Sequence, residues 1–424
     1  MDRLFTRSYV CILSANFLLY FGFWLLVPIL PFYLRESYGC PEAVMGIVLS
    51  CYAISGLCIR PFSGYILDKF PRKPIYILCY VICASMFVGY VVAFSILFFV
   101  ALRIVHGLAF GGVTVGGNTL CVDIMPSSRR GEGLGYYGLT NNAAMALGPM
   151  TGLFMHGHIP FGGIFLAGLL FSIAGLCCAL CVKTKRKPSM AMGLSTPDFD
   201  LRSKFGCTRH SSNKLGSVLV GTHLQLNLDR FILLKAIPVS ISLLMLSIPY
   251  GCTTNYVAVY AQEIGLQCPT GFFFTLMAVG MGVARIAAGK RVDKGYITQC
   301  IHYGFYPVVV AFLLLGLCRF IPVEWAVLVF YLVPTMLGIG FGVMFPAMNT
   351  LYINLAPNNR RATATGTYLT AWDVGLAIGI FTGGVIAHYF TYYMVYVIGS
   401  VICLLSMLYF NGKVTPHYYK NRLR

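Results

Sequence analysis

Charge is scarce in this chain. Of its 424 residues only 10% are charged and only 13 are acidic, while 58% are hydrophobic. Ordinary globular domains carry about 25% charged residues, so a soluble enzyme, a secreted disulfide scaffold and a disordered tail are all excluded. Polar interruptions are missing as well. The apolar runs continue for about 20 residues, enough for a helix to cross roughly 30 Å of hydrocarbon, without the alternation of a transmembrane barrel. Neither a Walker lysine motif nor a His/Cys cluster at zinc spacing occurs. The 16 cysteines fall mostly inside apolar runs (Cys51, Cys58, Cys79, Cys83, Cys177, Cys178, Cys181) and read as small packing residues. The expectation is an all-α membrane protein.

Twelve apolar segments lie near residues 9–33, 43–66, 75–97, 99–125, 134–156, 162–182, 231–260, 270–289, 303–321, 325–353, 364–388 and 390–410. The first reads as a span and not as a cleaved signal, because it runs past Pro28 and Pro31 without a small-residue cleavage site. A polar stretch with Lys185-Arg186-Lys187 separates the sixth and seventh. The organisation expected is a six-helix bundle over 1–183, a basic linker over 184–230, a second six-helix bundle over 231–412 and a basic tail over 413–424. Basic residues outnumber acidic ones by 31 to 13. With both termini placed in the cytoplasm, all the basic residues lie on that side except Arg35, Arg60, Arg103, Lys235, Arg285 and Arg319. The excess is therefore topological, and no nucleic acid is expected as a partner.

The halves repeat each other. A shift of 225 carries Arg60, Gly64, Asp68 and Lys69 onto Arg285, Gly289, Asp293 and Lys294. A shift of 231 carries Asn118-Thr119-Leu120 onto Asn349-Thr350-Leu351, and Gly148 and Gly152 onto Gly379 and Gly383. Two parallel repeats imply a cavity at their interface near the membrane midplane, open to either face as the halves rock.

Three blocks stand out: Gly64-Tyr-Ile-Leu-Asp68-Lys69-Phe-Pro71-Arg72-Lys73 after the second span, Arg103-Ile-Val-His106-Gly107 with Asp123 in the fourth, and Gly148-Pro149-Met-Thr-Gly152 in the fifth. With the twelve spans and the repeat, they resemble the major facilitator superfamily, and within it the twelve-span drug:proton antiporter branch. That resemblance implies a cytoplasmic conformational gate of Gly64, Asp68, Arg72 and Asp123, repeated at Gly289 and Asp293. It also implies proton coupling at Arg103, and an antiporter-like helix shaped by Gly148, Pro149 and Gly152. Pro71 and His106 depart from the family pattern. The first span carries no acidic residue, which weakens the case for a broad pump of cationic drugs.

Asp373 is the acidic residue placed near the middle of a span, and its repeat mate is Asn142. Burying a charge there costs about 3 kcal/mol even on lenient insertion scales, so Asp373 is a candidate for proton coupling, with structural pairing to an arginine as the competing reading. His106 is equally open between proton relay and helix packing. Arg60 and Arg285 read as structural residues that snorkel to the cytoplasmic interface. Candidates for the substrate cavity are Asn16, Tyr20, Trp24, Asn118, Asn142, Asn255, Tyr256, Asn349 and Trp372, each as able to serve helix packing.

The function expected is ion-gradient-driven transport: proton-coupled efflux of a small amphipathic compound, by a monomer in the bacterial inner membrane, with no cofactor and no metal. A proton-coupled symporter importing a metabolite, and a non-transporting membrane sensor, are the alternatives. No nucleophile–base constellation suggests an enzyme.

Overall fold

In a bilayer every backbone N–H and C=O needs a partner within the chain, so long apolar segments fold as helices. A computed structural model of the chain describes residues 4–126, 129–183, 232–357 and 360–423, and among these there is no strand. The linker expected over 184–230 lies outside the described residues. The first half comprises α1 (Arg7–Leu26), α2 (Leu30–Tyr38), α3 (Glu42–Lys69), α4 (Arg72–Val91), α5 (Ile96–Ile124), α6 (Arg130–Met155) and α7 (Phe161–Cys181). The second comprises α8 (Ile237–Glu263), α9 (Gly271–Asp293), α10 (Ile297–Leu317), α11 (Val323–Leu355), α12 (Arg361–Tyr389), α13 (Tyr392–Tyr409) and α14 (Thr415–Asn421).

Local chemistry sets the ends. Thr6 and Ser95 cap α1 and α5, each hydroxyl accepting a backbone N–H at 3.2 Å. Gly39 closes α2 at φ 60°, a left-handed conformation that favours glycine. The segment expected as one span over 9–33 is broken at Val27–Ile29, because Pro28 lacks a backbone donor and its ring crowds the preceding turn. The stretch expected as a tail is helical through Asn421: Tyr418 is buried, and the Leu423 N–H bonds Asn354 O at 2.9 Å.

Among the described residues ten helices are long and apolar enough to cross a membrane. In α9 only Gly271–Arg285 forms a shorter apolar stretch, and α6 falls short of that apolarity. These two helices pack against each other between the halves.

The helices alternate in direction, so both described ends lie at one face. There Ser8 Oγ accepts from the Lys183 N–H at 3.1 Å and the Tyr9 hydroxyl bonds Gly133 O at 2.8 Å. The halves meet along two seams, α3 with α12 and α6 with α9. Both seams close toward the distal face. A Cβ on Gly46 would lie 2.8 Å from Phe381 O, and one on Gly271 would lie 2.8 Å from Met150 Cα, so only glycine allows these backbones so near. Thr275 Oγ1 donates to Ala146 O at 3.2 Å, and His388 Nδ1 lies 3.7 Å from Glu42 Oε2.

Candidate functional site

The central ion pair joins the two halves. Arg60 of α3 is salt-bridged to Asp373 of α12, with the side chains 28% and 17% exposed. Beyond each other, Arg60 Nη1 and Asp373 Oδ2 have no hydrogen-bond partner. Every other acidic residue in a described helix stands near a helix end, so Asp373 is the one carboxylate in the interior of a spanning helix among the described residues. The pairing with arginine that sequence left as the competing reading is present. It corrects the expectation that Arg60 merely snorkels to the interface, because α12 supplies a carboxylate beside it.

Aromatic clusters flank this pair. In the first half Tyr52 stacks on Phe23 with centroids 5.1 Å apart, and Phe110 lies 4.7 Å from Phe23 and 5.3 Å from Tyr20. Arg103 is only 4% exposed, and its guanidinium carbon lies 4.4 Å from the centre of the Tyr52 ring, a cation–π contact. His106 is 1% exposed and shares a 2.8 Å hydrogen bond with the Tyr90 hydroxyl. Arg103 and His106 thus belong to one buried network with Tyr52 and Tyr90, and neither touches Asp373. In the second half Trp372 packs against Phe345 at 4.6 Å and Tyr250 at 5.0 Å. The Tyr250 hydroxyl crosses to Met145 Sδ of α6 at 3.2 Å.

The polar cavity candidates divide. Tyr20, Trp24, Asn142 and Trp372 are half-buried, and Asn118 is exposed. Trp24 Nε1 and Asn349 Oδ1 are enclosed without hydrogen-bond partners. Asn16, Asn255 and Tyr256 are instead committed to packing. Asn16 Nδ2 donates to Thr140 Oγ1 at 2.8 Å, Asn255 Nδ2 to Gly251 O of its own helix at 3.1 Å, and the Tyr256 hydroxyl to Ile380 O at 2.9 Å. A residue type does not reveal which face of its helix it occupies.

Of the gate residues, Arg72 and Asp123 come together: Arg72 Nη1 reaches both carboxylate oxygens at 2.7 and 2.8 Å, tying the start of α4 to the end of α5. The side-chain positions of Gly64, Asp68, Gly289 and Asp293 lie outside the described residues. Gly148 and Gly152 press α6 onto α1; a Cβ on Gly148 would lie 2.8 Å from Trp24 Cβ, and one on Gly152 would collide with Leu25 O. Pro149 lies inside α6 between them. Sequence reasoning missed Tyr52, Tyr250 and Phe345, which carry no signal beyond aromaticity. It also missed the role of Arg60, although the Arg60/Arg285 and Asn142/Asp373 repeat pairs, read together, would have pointed to it. Among the described residues no three His, Cys, Asp or Glu side chains group as metal ligands.

The sequence model of the Major Facilitator Superfamily matches residues 12–380 and 308–423. The quinolone resistance protein NorA of Staphylococcus aureus (strain Mu50 / ATCC 700699) is 30% identical over 139 residues, 33% of this chain. The match spans only 36% of NorA's length. The staphylopine export protein of the same organism is 22% identical over 389 residues, 89% of either chain. Among solved structures, a POT family transporter in complex with 5-aminolevulinic acid superposes with a TM-score of 0.76 at 14% identity, covering 98% of each chain.

Proposed function

The chain belongs to the major facilitator superfamily of multi-pass membrane transporters, and on that premise we propose that it is a proton-coupled exporter of a small amphipathic compound working by alternating access. The ion pair between Arg60 and Asp373 carries the reading. It spans one of the seams along which the halves separate, and it contains the one titratable carboxylate inside a described span. A proton on Asp373 neutralises that carboxylate and removes its attraction for Arg60, so protonation and opening of the α3–α12 seam share one free-energy change. Arg103 cannot itself release a proton in this range.

Direction is supported by the resemblance to an export protein along most of the chain and to a resistance protein over a third of it. The basic residues at the terminus-bearing ends favour a cytoplasmic location for that face in the inner membrane. With the distal seams closed, a transport cavity between the halves would then open inward.

The test uses everted membrane vesicles holding an imposed proton gradient, screened with fluorescent quinolones and other amphipathic compounds. Antiport appears as uphill accumulation in the vesicle lumen that collapses with the gradient. Uphill transport in the opposite direction would replace export by symport, and accumulation indifferent to the proton gradient would overturn proton coupling.

A further inference from the structure

The two seams are counterparts. The shift of 225 carries α3 onto α9 and the shift of 231 carries α6 onto α12, so Arg60 corresponds to Arg285 and Asp373 to Asn142. At this pair of positions they differ by one group. The α3–α12 seam holds an arginine and a carboxylate that neutralise each other. The α9–α6 seam holds the arginine and, in the corresponding place, an amide.

Arg285 therefore has no carboxylate partner among the described residues. Its Nη2 reaches only the sulfur of Met281 in its own helix, at 3.6 Å, and its Nε is enclosed without any partner. Tyr250 of α8 and Tyr368 of α12 are the neutral phenols in its surroundings. Tyr250 also touches Trp372 and, across the seam, Met145. Arg285 thus lies on α9, the helix that packs against α6 of the first half, with Tyr250 of the aromatic cluster in its surroundings. A guanidinium carries a permanent charge and five donors in a planar fork. A thioether and neutral phenols leave that charge uncompensated, and the fork matches a carboxylate bidentately.

We propose that Arg285 is the anion-binding residue of the transport cavity and that the transported compound is an aromatic carboxylate. Its acid group takes beside Arg285 the place that Asp373 takes beside Arg60, and its ring lies against Tyr250, Trp372 and Phe345. The proposal rests on the transporter reading above and names its substrate class. It also fits the sequence, since a first span without an acidic residue offers nothing to a cationic drug.

The experiment measures thermal shifts of the purified full-length protein with indole-3-acetate and 1-naphthoate, each against its amide. The acids should raise Tm and the amides should not. Arg285→Gln should weaken the acids by roughly 10- to 100-fold, the range of a lost charge-assisted hydrogen bond. Asn142→Asp should weaken them as well by supplying the missing carboxylate from within, which keeps the test decisive if the arginine variant folds poorly. Amides that stabilise as well as acids, no stabilisation by any acid, or unchanged acid preference in both variants would overturn the proposal. These binding readouts are independent of the proton gradient. A loss of acid preference with gradient-driven transport intact defeats only the anion site; acid preference without gradient-driven transport defeats only the coupling.

Discussion

Asp373 and Arg60 form a pair whose purpose can be read by exchanging its members. In Asp373→Asn the seam becomes chemically like its counterpart, with an unpaired arginine beside an amide. Arg285 already exists in that condition, and both members of the Arg60 pair are partly exposed. The stability loss should therefore stay well below the ~3–5 kcal/mol of breaking a sealed pair, with expression and Tm little changed. Gradient-driven accumulation should vanish, while downhill exchange persists. The swap of Arg60→Asp with Asp373→Arg restores the attraction but moves the titrating group to the other half. Uphill transport by the swapped protein at the wild-type pH profile would make the pair a structural bridge. His106 offers a contrast: buried and bonded to Tyr90, its replacement by Gln should lower Tm and leave the pH dependence of transport where it was.

Helix by helix, the fold was legible because a lipid-facing helix is written in contiguous apolar residues. Ten of the twelve expected spans follow from that pattern among the described residues, whereas the repeat was read from recurring arginine, glycine and aspartate positions. The break between α1 and α2 was signalled by Pro28, yet apolarity runs through it and hid it. The helical course of 415–421 was hidden by its charge, since Lys413, Lys420 and Arg422 look like a solvated end while Tyr418 is the residue that docks. The site was legible only in part. Asp373 is conspicuous as a lone acid, but its partner is 313 positions earlier in the other repeat, and nothing in one sequence states which helices face across the seam. The same ignorance of helix faces put Asn16 and Tyr256 among cavity candidates. At this scale Gly152 makes a clear test. Alanine there meets Leu25 O on α1, so the helices must part; overpacking of this kind costs about 1–3 kcal/mol. Gly152→Ala should lower Tm in detergent, whereas Gly135→Ala, with open space around it, should not.

For the molecule as a whole, the proposed alternating-access cycle requires the closed distal face to open once per turnover. Glu42 and His388 oppose each other across it. In a Glu42→Cys, His388→Cys double variant, a short bifunctional thiol cross-linker should stop transport, whereas each single variant should continue after the same treatment. Transport that survives a verified cross-link would exclude rocking about this seam. Orientation is open to a separate check. An impermeant thiol reagent should modify Cys207 of the linker in everted vesicles and spare it in intact cells; labelling from outside would invert the topology.

The unequal seams also have a genetic meaning. Aspartate and asparagine codons differ at one base, so the distance from this molecule to one with two ion-paired seams, or with none, is a single point mutation in one repeat or the other. A population grown under selection against anion transport could reach Asn142→Asp in one step, without passing through an unfolded intermediate. The duplicated architecture thus keeps two specialised descendants within immediate mutational reach, and deep mutational scanning of positions 142 and 373 together would map the path between them.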